Sequence, residues 1–457
     1  METLPAPAVV HSARKEGSNS DPEKAPLLSG QTPVVWAGGQ VITPRTRKCR
    51  VRKLAALAGH FVVCLGLLCM LQTYGIVNLM SFRRAAPSQH TDPSIGECVQ
   101  HANWDLDDDH HWHDNFHYHA TTAFSLPRDS SLLYFVSRGN FANGGIELSH
   151  DGTEPNHVTV EVEAWYNSEE WFNKVDVCSL KREQNENGLA IFTPDHRHRH
   201  DHHHRLSFKV KVRLPASDQY QRYERLETNL PLFAHDVEGF ADSAEFKFIS
   251  LKSANMPIHV QSLSAGAASI TTTNAAIVGE FNSSGTLILQ TSNAAIVANV
   301  TLSNDNEGQE SSLSLLTTNS PIKSNVSLIS TADDATGGEY VVTAITANGP
   351  LDLSFPLSPV DSKLNLNGRT SNSPVRAQLH AAYEGAFSLH GSPWMHPTVE
   401  VRRDVEDPAG RGRSRGVLMR TVARGIVEGK VEWKSQFDQE LGKVLLSTSN
   451  AGIHLKV

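Results

Sequence analysis

From about residue 246 to the end of the chain, hydrophobic residues alternate with polar ones in short runs. Leu287-Ile-Leu289-Gln-Thr291 and Leu313-Ser-Leu315-Leu-Thr317 each set apolar side chains on one face, the period of a half-buried strand. These runs end in one recurring phrase: a small hydroxyl residue, any residue, Asn, two further residues, then an aliphatic. It reads Ser253-Ala-Asn255-Met-Pro-Ile258, Thr272-Thr-Asn274-Ala-Ala-Ile277, Thr291-Ser-Asn293-Ala-Ala-Ile296 and Thr317-Thr-Asn319-Ser-Pro-Ile322. It continues as Thr346-Ala-Asn348-Gly-Pro-Leu351, Thr370-Ser-Asn372-Ser-Pro-Val375 and Thr448-Ser-Asn450-Ala-Gly-Ile453. The Asn-to-Asn steps are 19, 19, 26, 29, 24 and 78 residues, so the phrase is fixed while the filler varies. That combination predicts an all-β stack with one corner per rung and loops of unequal length elsewhere.

The residue types suit a corner. Asn tolerates the left-handed region and bonds its own backbone, so a left-handed bend is expected at each Asn. The Pro or Ala that follows fixes or permits the turn, and the aliphatic returns to the core. Stacked at one corner, successive Asn amides are placed to pair along the stack. The alternative is a repeated ligand- or calcium-binding edge, against which the absence of a carboxylate from the phrase argues. Leu289 precedes Asn293 by four residues, which does not fit the spacing of a leucine-rich repeat. Further alternation at His157–Trp165 and Leu206–Leu214, with shorter runs at Leu132–Val136 and Phe246–Phe248, extends the β material upstream. One continuous ectodomain over 123–457 is the reading, with two β domains joined near residue 240 as its alternative.

The stretch from Phe246-Lys-Phe-Ile-Ser-Leu-Lys-Ser-Ala-Asn255 through Ser-Ile270-Thr-Thr-Thr-Asn274 to Leu-Ser-Thr-Ser-Asn450-Ala-Gly-Ile453 resembles the "putative adhesin" domains of unknown function. These occur in bacteria, and similar ectodomains occur in fungal membrane proteins. The resemblance covers roughly 245–457 and implies an elongated, right-handed β-solenoid without catalytic residues. The 78-residue step between Asn372 and Asn450 departs from a plain repeat, so irregular final rungs are expected.

Residues 54–81 contain no Asp, Glu, Lys or Arg and exceed the roughly 20 residues that span a bilayer core. Arg45, Arg47, Lys48, Arg50, Arg52 and Lys53 flank the amino side, against Arg83 and Arg84 beyond it. The positive-inside rule then keeps residues 1–53 cytosolic and predicts a type II signal anchor. The segment is too long and too far into the chain for a cleaved signal peptide. The sequons at Asn282, Asn299 and Asn325 all fall on the outer side. The arm 1–53 has a disordered composition, and its Glu23…Leu27-Leu28 resembles an acidic dileucine signal for endosomal or vacuolar sorting. The expected address is therefore the plasma membrane or an endosomal or vacuolar membrane. Of five cysteines, Cys49 is a juxtamembrane candidate for palmitoylation and Cys64 and Cys69 lie in the span. Cys98 and Cys178 face outward, where one disulfide or two buried thiols are open to them.

A His- and Asp-rich stalk is expected over 82–122, carrying His110, His111, His113, His117 and His119. A second tract holds His198, His200, His202, His203 and His204. Imidazoles suit zinc or copper, but neither tract has a framework to fix ligand geometry. Loose chelation or a pH response is the expectation, and no cofactor is assigned. Gly412-Arg-Ser414-Arg-Gly416 matches the hydrolase elbow in letters only, within a basic, turn-rich loop read as solvated or open to acidic glycans. A net charge of −8 with pI near 6.3 argues against nucleic acid. Two functions follow: a non-catalytic surface for adhesion, wall or matrix contact or scaffolding, with a glycan or protein ligand, or a metal- or pH-responsive membrane protein acting through its His tracts. The sequence assigns no oligomeric state.

Overall fold

The computed structural model describes residues 95–107, 116–195, 205–402, 405–433 and 442–457. The arm 1–53, the expected span 54–81 with Cys64 and Cys69, and Glu23, Leu27, Leu28 and Cys49 lie outside the described residues, as do His110, His111, His113, His198, His200, His202, His203 and His204. Among the described residues the structure is all-β, with one short helix at Glu169–Phe172 and no helix long and apolar enough to cross a membrane.

Every strand among the described residues belongs to one continuous hydrogen-bonded sheet, whose body is two parallel stacks. Strands that precede a corner form the upstream stack. Thr286–Gln290 pairs in parallel with Ser311–Leu316, which pairs with Glu339–Ile345, which pairs with Lys363–Arg369. Strands that follow a corner form the downstream stack, where Ile277–Ser283, Ile296–Asn304, Ile322–Ser330, Leu351–Ser354 and Val375–Gln378 pair in the same order. Ile258–Thr271 belongs to both stacks: its first half pairs with Phe233–Gly239 and its second half with Ala244–Lys252. The inward side chains of both stacks share one core. The aliphatic that closes each corner phrase lies in a column of register partners, Ile258, Ile277, Ile296, Ile322, Leu351, Val375 and Ile453, each at most 2% exposed. Burying such a side chain contributes about 1.5–3 kcal/mol.

The chain path is transposed at both ends. Near the amino terminus Leu132–Arg138 and Gly144–Gly152 form a rung, yet the outer rung beside it, Glu186–Phe192 with Leu206–Pro215, comes later in sequence. The inserted strands cap the stack in antiparallel fashion: Leu206–Pro215 is covered by His157–Tyr166, then Tyr118–Pro127. At the other end Gly442–Ser447 slots between Lys363–Arg369 and Gly385–His390. The outer rung is capped by the antiparallel hairpin Arg415–Ala423 and Ile426–Trp433. Antiparallel caps cover the edges that a repeat would otherwise leave open.

Two expectations are corrected. The 78-residue step does not disturb the final rungs, because its residues build the outer rung and hairpin while Asn450 returns to stack on Asn372. Residues expected as a stalk instead supply capping strands, Glu97–His101, Asp105–Asp107 and the start of Tyr118–Pro127. There Ala120, Thr122 and Phe124 are buried while their neighbours are more exposed, a period too weak in hydrophobicity to read from sequence.

Candidate functional site

Each corner is built by hydrogen bonds to the rung before it. The N–H groups of the residue before Asn and of Asn itself converge on a single carbonyl: Thr273 and Asn274 on Ala254, Ser292 and Asn293 on Thr273, Thr318 and Asn319 on Ser292. Two successive donors sharing one acceptor bend the strand. The buried threonine hydroxyl donates back to corner carbonyls of the preceding rung, Thr291 to Ala275 at 3.1 Å and Thr317 to Ala294 at 3.1 Å. This accounts for the hydroxyl residue, since a buried polar atom without a partner is costly. The residue before the aliphatic contributes its carbonyl to the ladder, as Pro321 does to the Ile296 N–H and Pro350 to Ile322, so proline fits there without loss.

Outside the bend the Asn amides form an unbroken ladder. Nδ2 of Asn274, Asn293, Asn319, Asn348, Asn372 and Asn450 donates to Oδ1 of Asn255, Asn274, Asn293, Asn319, Asn348 and Asn372 at 2.6–2.7 Å. Asn has the donor and the acceptor at the length this spacing of about 4.8 Å requires. The expected left-handed bend is corrected. None of the seven is among the described non-glycine residues at positive φ, which are Asn185, Asn306, Ala335 and Asp361. Because the shared carbonyl makes the bend, the Asn side chain is free to bridge rungs.

The outward face of the upstream stack is uncharged in its central columns over four rungs, with Glu339 at the margin of the fourth, paired to Lys363 at 2.9 Å. Its central columns read Ser269 and Thr271, Ile288 and Gln290, Ser314 and Leu316, then Thr343 and Ile345, in parallel register. Charge resumes on either side, with Lys247, Glu224 and Arg225 before the patch and Arg369 and Lys443 after it. The sequons lie on the opposite stack, all three Asn exposed: Asn325 Nδ2 donates to Asn299 Oδ1 at 3.0 Å, and Asn299 Nδ2 to Glu280 at 3.1 Å.

The remaining sequence candidates separate. His119 stacks on Trp165 at 5.3 Å between centroids within the capping strands, and the exposed His117 precedes the same strand. The tract at 196–204 falls between Glu186–Phe192 and Leu206–Pro215, where other rungs carry a corner. Cys98 and Cys178 form a disulfide. The Arg-rich loop is not solvated throughout, which corrects that expectation. Arg413 pairs with Asp407 at 3.0 Å and Glu384 at 2.9 Å, its side chain 9% exposed, and Arg411 pairs with Asp361 at 3.0 Å. Asp407 also accepts backbone N–H bonds from Ala409, Arg411 and Arg413, and the Arg413 guanidinium holds its carboxyl well below the usual carboxylate range. Ser414 lies in irregular chain immediately before the strand Arg415–Ala423, which is not a strand-to-helix elbow.

Sequence reasoning missed His235. It is buried on the first residues of a downstream strand, with Nε2 at 2.7 Å from the Thr228 hydroxyl and Nδ1 at 3.2 Å from the Phe233 carbonyl. Burial lowers its pKa to about 4. No pattern around Phe233-Ala-His235-Asp-Val237 separates it from an exposed histidine except its place on the apolar phase of the strand.

Stacked parallel rungs with capped ends and a ladder along one edge define an all-β protein of repeating rungs. No family model matches the chain, and no curated protein matches it. Similar solved structures include three that are described as a "putative" adhesin or cell adhesion protein. One from Clostridium sporogenes is 9% identical, covers 74% of this chain and 99% of its own, and has a TM-score of 0.17. One from Parabacteroides merdae is 11% identical over 55% of this chain and 95% of its own, at 0.29. One from Parabacteroides distasonis is 9% identical over 74% and 97%, at 0.25. Likenesses at these TM-scores carry no argument about function.

Proposed function

We propose that this chain is a type II single-pass membrane protein whose ectodomain is a non-catalytic β-solenoid used for adhesion, wall or matrix contact, or scaffolding. The observation that carries the reading is the set of uncharged central columns on the outer face, from Ser269 and Thr271 to Thr343 and Ile345. Except for Gln290 and Leu316 these side chains are short or β-branched and stand on hydrogen-bonded strands, so contact orders few rotamers and strips water from no charge. Such a face suits a neutral glycan chain or a flat protein surface. The signal-anchor topology rests on the apolar stretch 54–81 and its basic flank, with the three exposed sequons in its favour.

The contact role is tested by binding the purified chain to insoluble neutral wall polysaccharides and to matrix protein, with Ile288→Glu and Ser314→Glu as paired variants. Both positions point outward, so melting should hold while binding falls at least tenfold. Equal binding by all three proteins would sink the face as the contact surface. Topology is tested separately by expression in a glycosylating host, where endoglycosidase should lower the mass through Asn282, Asn299 and Asn325. Glycan-free protein with a protease-protected amino arm would reverse the orientation.

A further inference from the structure

The disulfide at the amino-terminal cap stands inside a larger constellation. Cys98, His101, Asp176 and Cys178 each turn one ligand atom to the same point, and these atoms all lie within 4.8 Å of one another. Two neighbouring strands supply them. Asp176 and Cys178 are two residues apart on Asp176–Lys181 and therefore share a face. Cys98 and His101 are three apart on Glu97–His101, and a regular strand would send them to opposite faces. The pairing register shifts between Cys98 and Gln100, and this bulge restores both to the side of Cys178. His101 stands directly opposite Cys178, and its Nδ1 lies 2.7 Å from Asp176 Oδ1. Cys98 and His101 are exposed, so the cluster opens to solvent, while Cys178 is fully buried against Leu180, Tyr134 and Ile95 and fixes its floor.

We propose that these four residues are a metal site for a zinc-class dication that the disulfide closes and thiol reduction opens. Two thiolates, one imidazole and one carboxylate match the donor set and the count that zinc takes in tetrahedral sites. The chemistry balances simply. Two equivalents of a monothiol, or one dithiol, deliver two electrons and two protons to the cysteine sulfurs and leave as their own disulfide. The dication then displaces both thiol protons, forming two metal–sulfur bonds and releasing two protons. Either state staples the same two strands, by a covalent bond when oxidised and through the ion when reduced. The site thus keeps the exposed edge strand Glu97–His101 attached in compartments of opposite redox poise, and it does not depend on the proposed contact function.

The test uses the full chain with Cys49, Cys64 and Cys69 replaced by serine, so that only Cys98 and Cys178 can ligate as thiolates. The reduced protein is titrated with cobalt(II), whose thiolate charge-transfer bands do not arise from histidine tracts. One equivalent should bring up these bands, zinc should bleach them, and the oxidised protein should show none. His101→Ala and Asp176→Ala should each weaken binding about 10-fold or more, and zinc should raise the melting temperature of the reduced protein. Absence of charge-transfer bands at stoichiometric cobalt, with the β signature of the reduced chain intact, would overturn the proposal. Bands unchanged in both His101→Ala and Asp176→Ala would overturn the four-ligand site. If either substitution unfolds the cap, protection of the two thiols from alkylation by zinc in the parent chain decides the same question: protection supports the site and its absence rejects it.

Discussion

The middle rungs and the end rungs solve the same corner in different ways. From Ser253 to Pro374, and again at Thr448–Gly452, every corner uses one hydroxyl, one shared carbonyl and one Asn of the ladder. At the ends, Leu230-Pro-Leu232 and Gly391-Ser-Pro-Trp-Met-His-Pro397 take the place of the phrase, and the long segment after Phe192 holds the His tract. What replaces the ladder there is specific to each place: the buried His235 with Thr228, the Asp407–Arg413–Glu384 cluster, and the Cys98–Cys178 disulfide. Repetition stabilises a middle whose neighbours are alike, whereas an end has a neighbour on one side only and needs its own devices.

The largest way to break this comparison is through the shared core. Ile296→Ala and Ile322→Ala, both fully buried in the middle, should each cost about 2–5 kcal/mol in denaturant unfolding. Leu418→Ala in the capping hairpin, 63% exposed, should cost little. Equal losses at both places would mean that the caps bury more than their geometry indicates.

The next effect belongs to the ends and depends on pH. His235 is neutral in the fold with a pKa near 4, while an unfolded histidine titrates near 6.5, so the unfolded chain takes up the proton first as pH falls. Stability is complete above about pH 6.5 and is lost progressively down to about pH 4, by roughly 3 kcal/mol. Unfolding free energies across that window should slope accordingly, and His235→Gln should flatten the slope. His150 and His380, also lowered by burial and by Arg128 and Arg402 respectively, add to it with the same sign.

A smaller effect grades the ladder. Asn293 and Asn319 each take part in two amide bonds, and Asn255 in one. Replacing Asn293 by Val should cost about 1–2 kcal/mol and replacing Asn255 about half of that, read from chemical denaturation. Smallest of all, Arg222→Ala, which removes an ion pair to Glu245 from a side chain 83% exposed, should change stability by less than about 1 kcal/mol.

The middle was legible in the sequence because its phrase is periodic. Seven Asn at variable spacing could mark only a corner, and Leu287, Leu289, Leu313 and Leu315 show the inward phase. The cause of the bend was not legible, since a shared backbone carbonyl leaves no side-chain signature and Asn suits a left-handed turn as well as a ladder. The transposed ends were hidden for a different reason: pairing between Gly385–His390 and Gly442–Ser447 is long-range, and nothing local orders the two rungs. The cluster at Cys98 escaped because its convergence depends on a bulge, and the Arg413 cluster because ion pairs have no period.

The central claim is that the ladder follows the stack and not the chain, and the pair Asn372 and Asn450 tests it most directly. They are 78 residues apart in sequence and 2.6 Å apart between amide nitrogen and oxygen. A double-mutant cycle to Ala at these two positions should give a coupling energy of about 0.5–1.5 kcal/mol, equal to that of Asn293 with Asn319. The cycle of Asn348 with Asn450, two rungs apart, should give none. Coupling near zero for Asn372 with Asn450, or coupling as large for Asn348 with Asn450, would contradict the account.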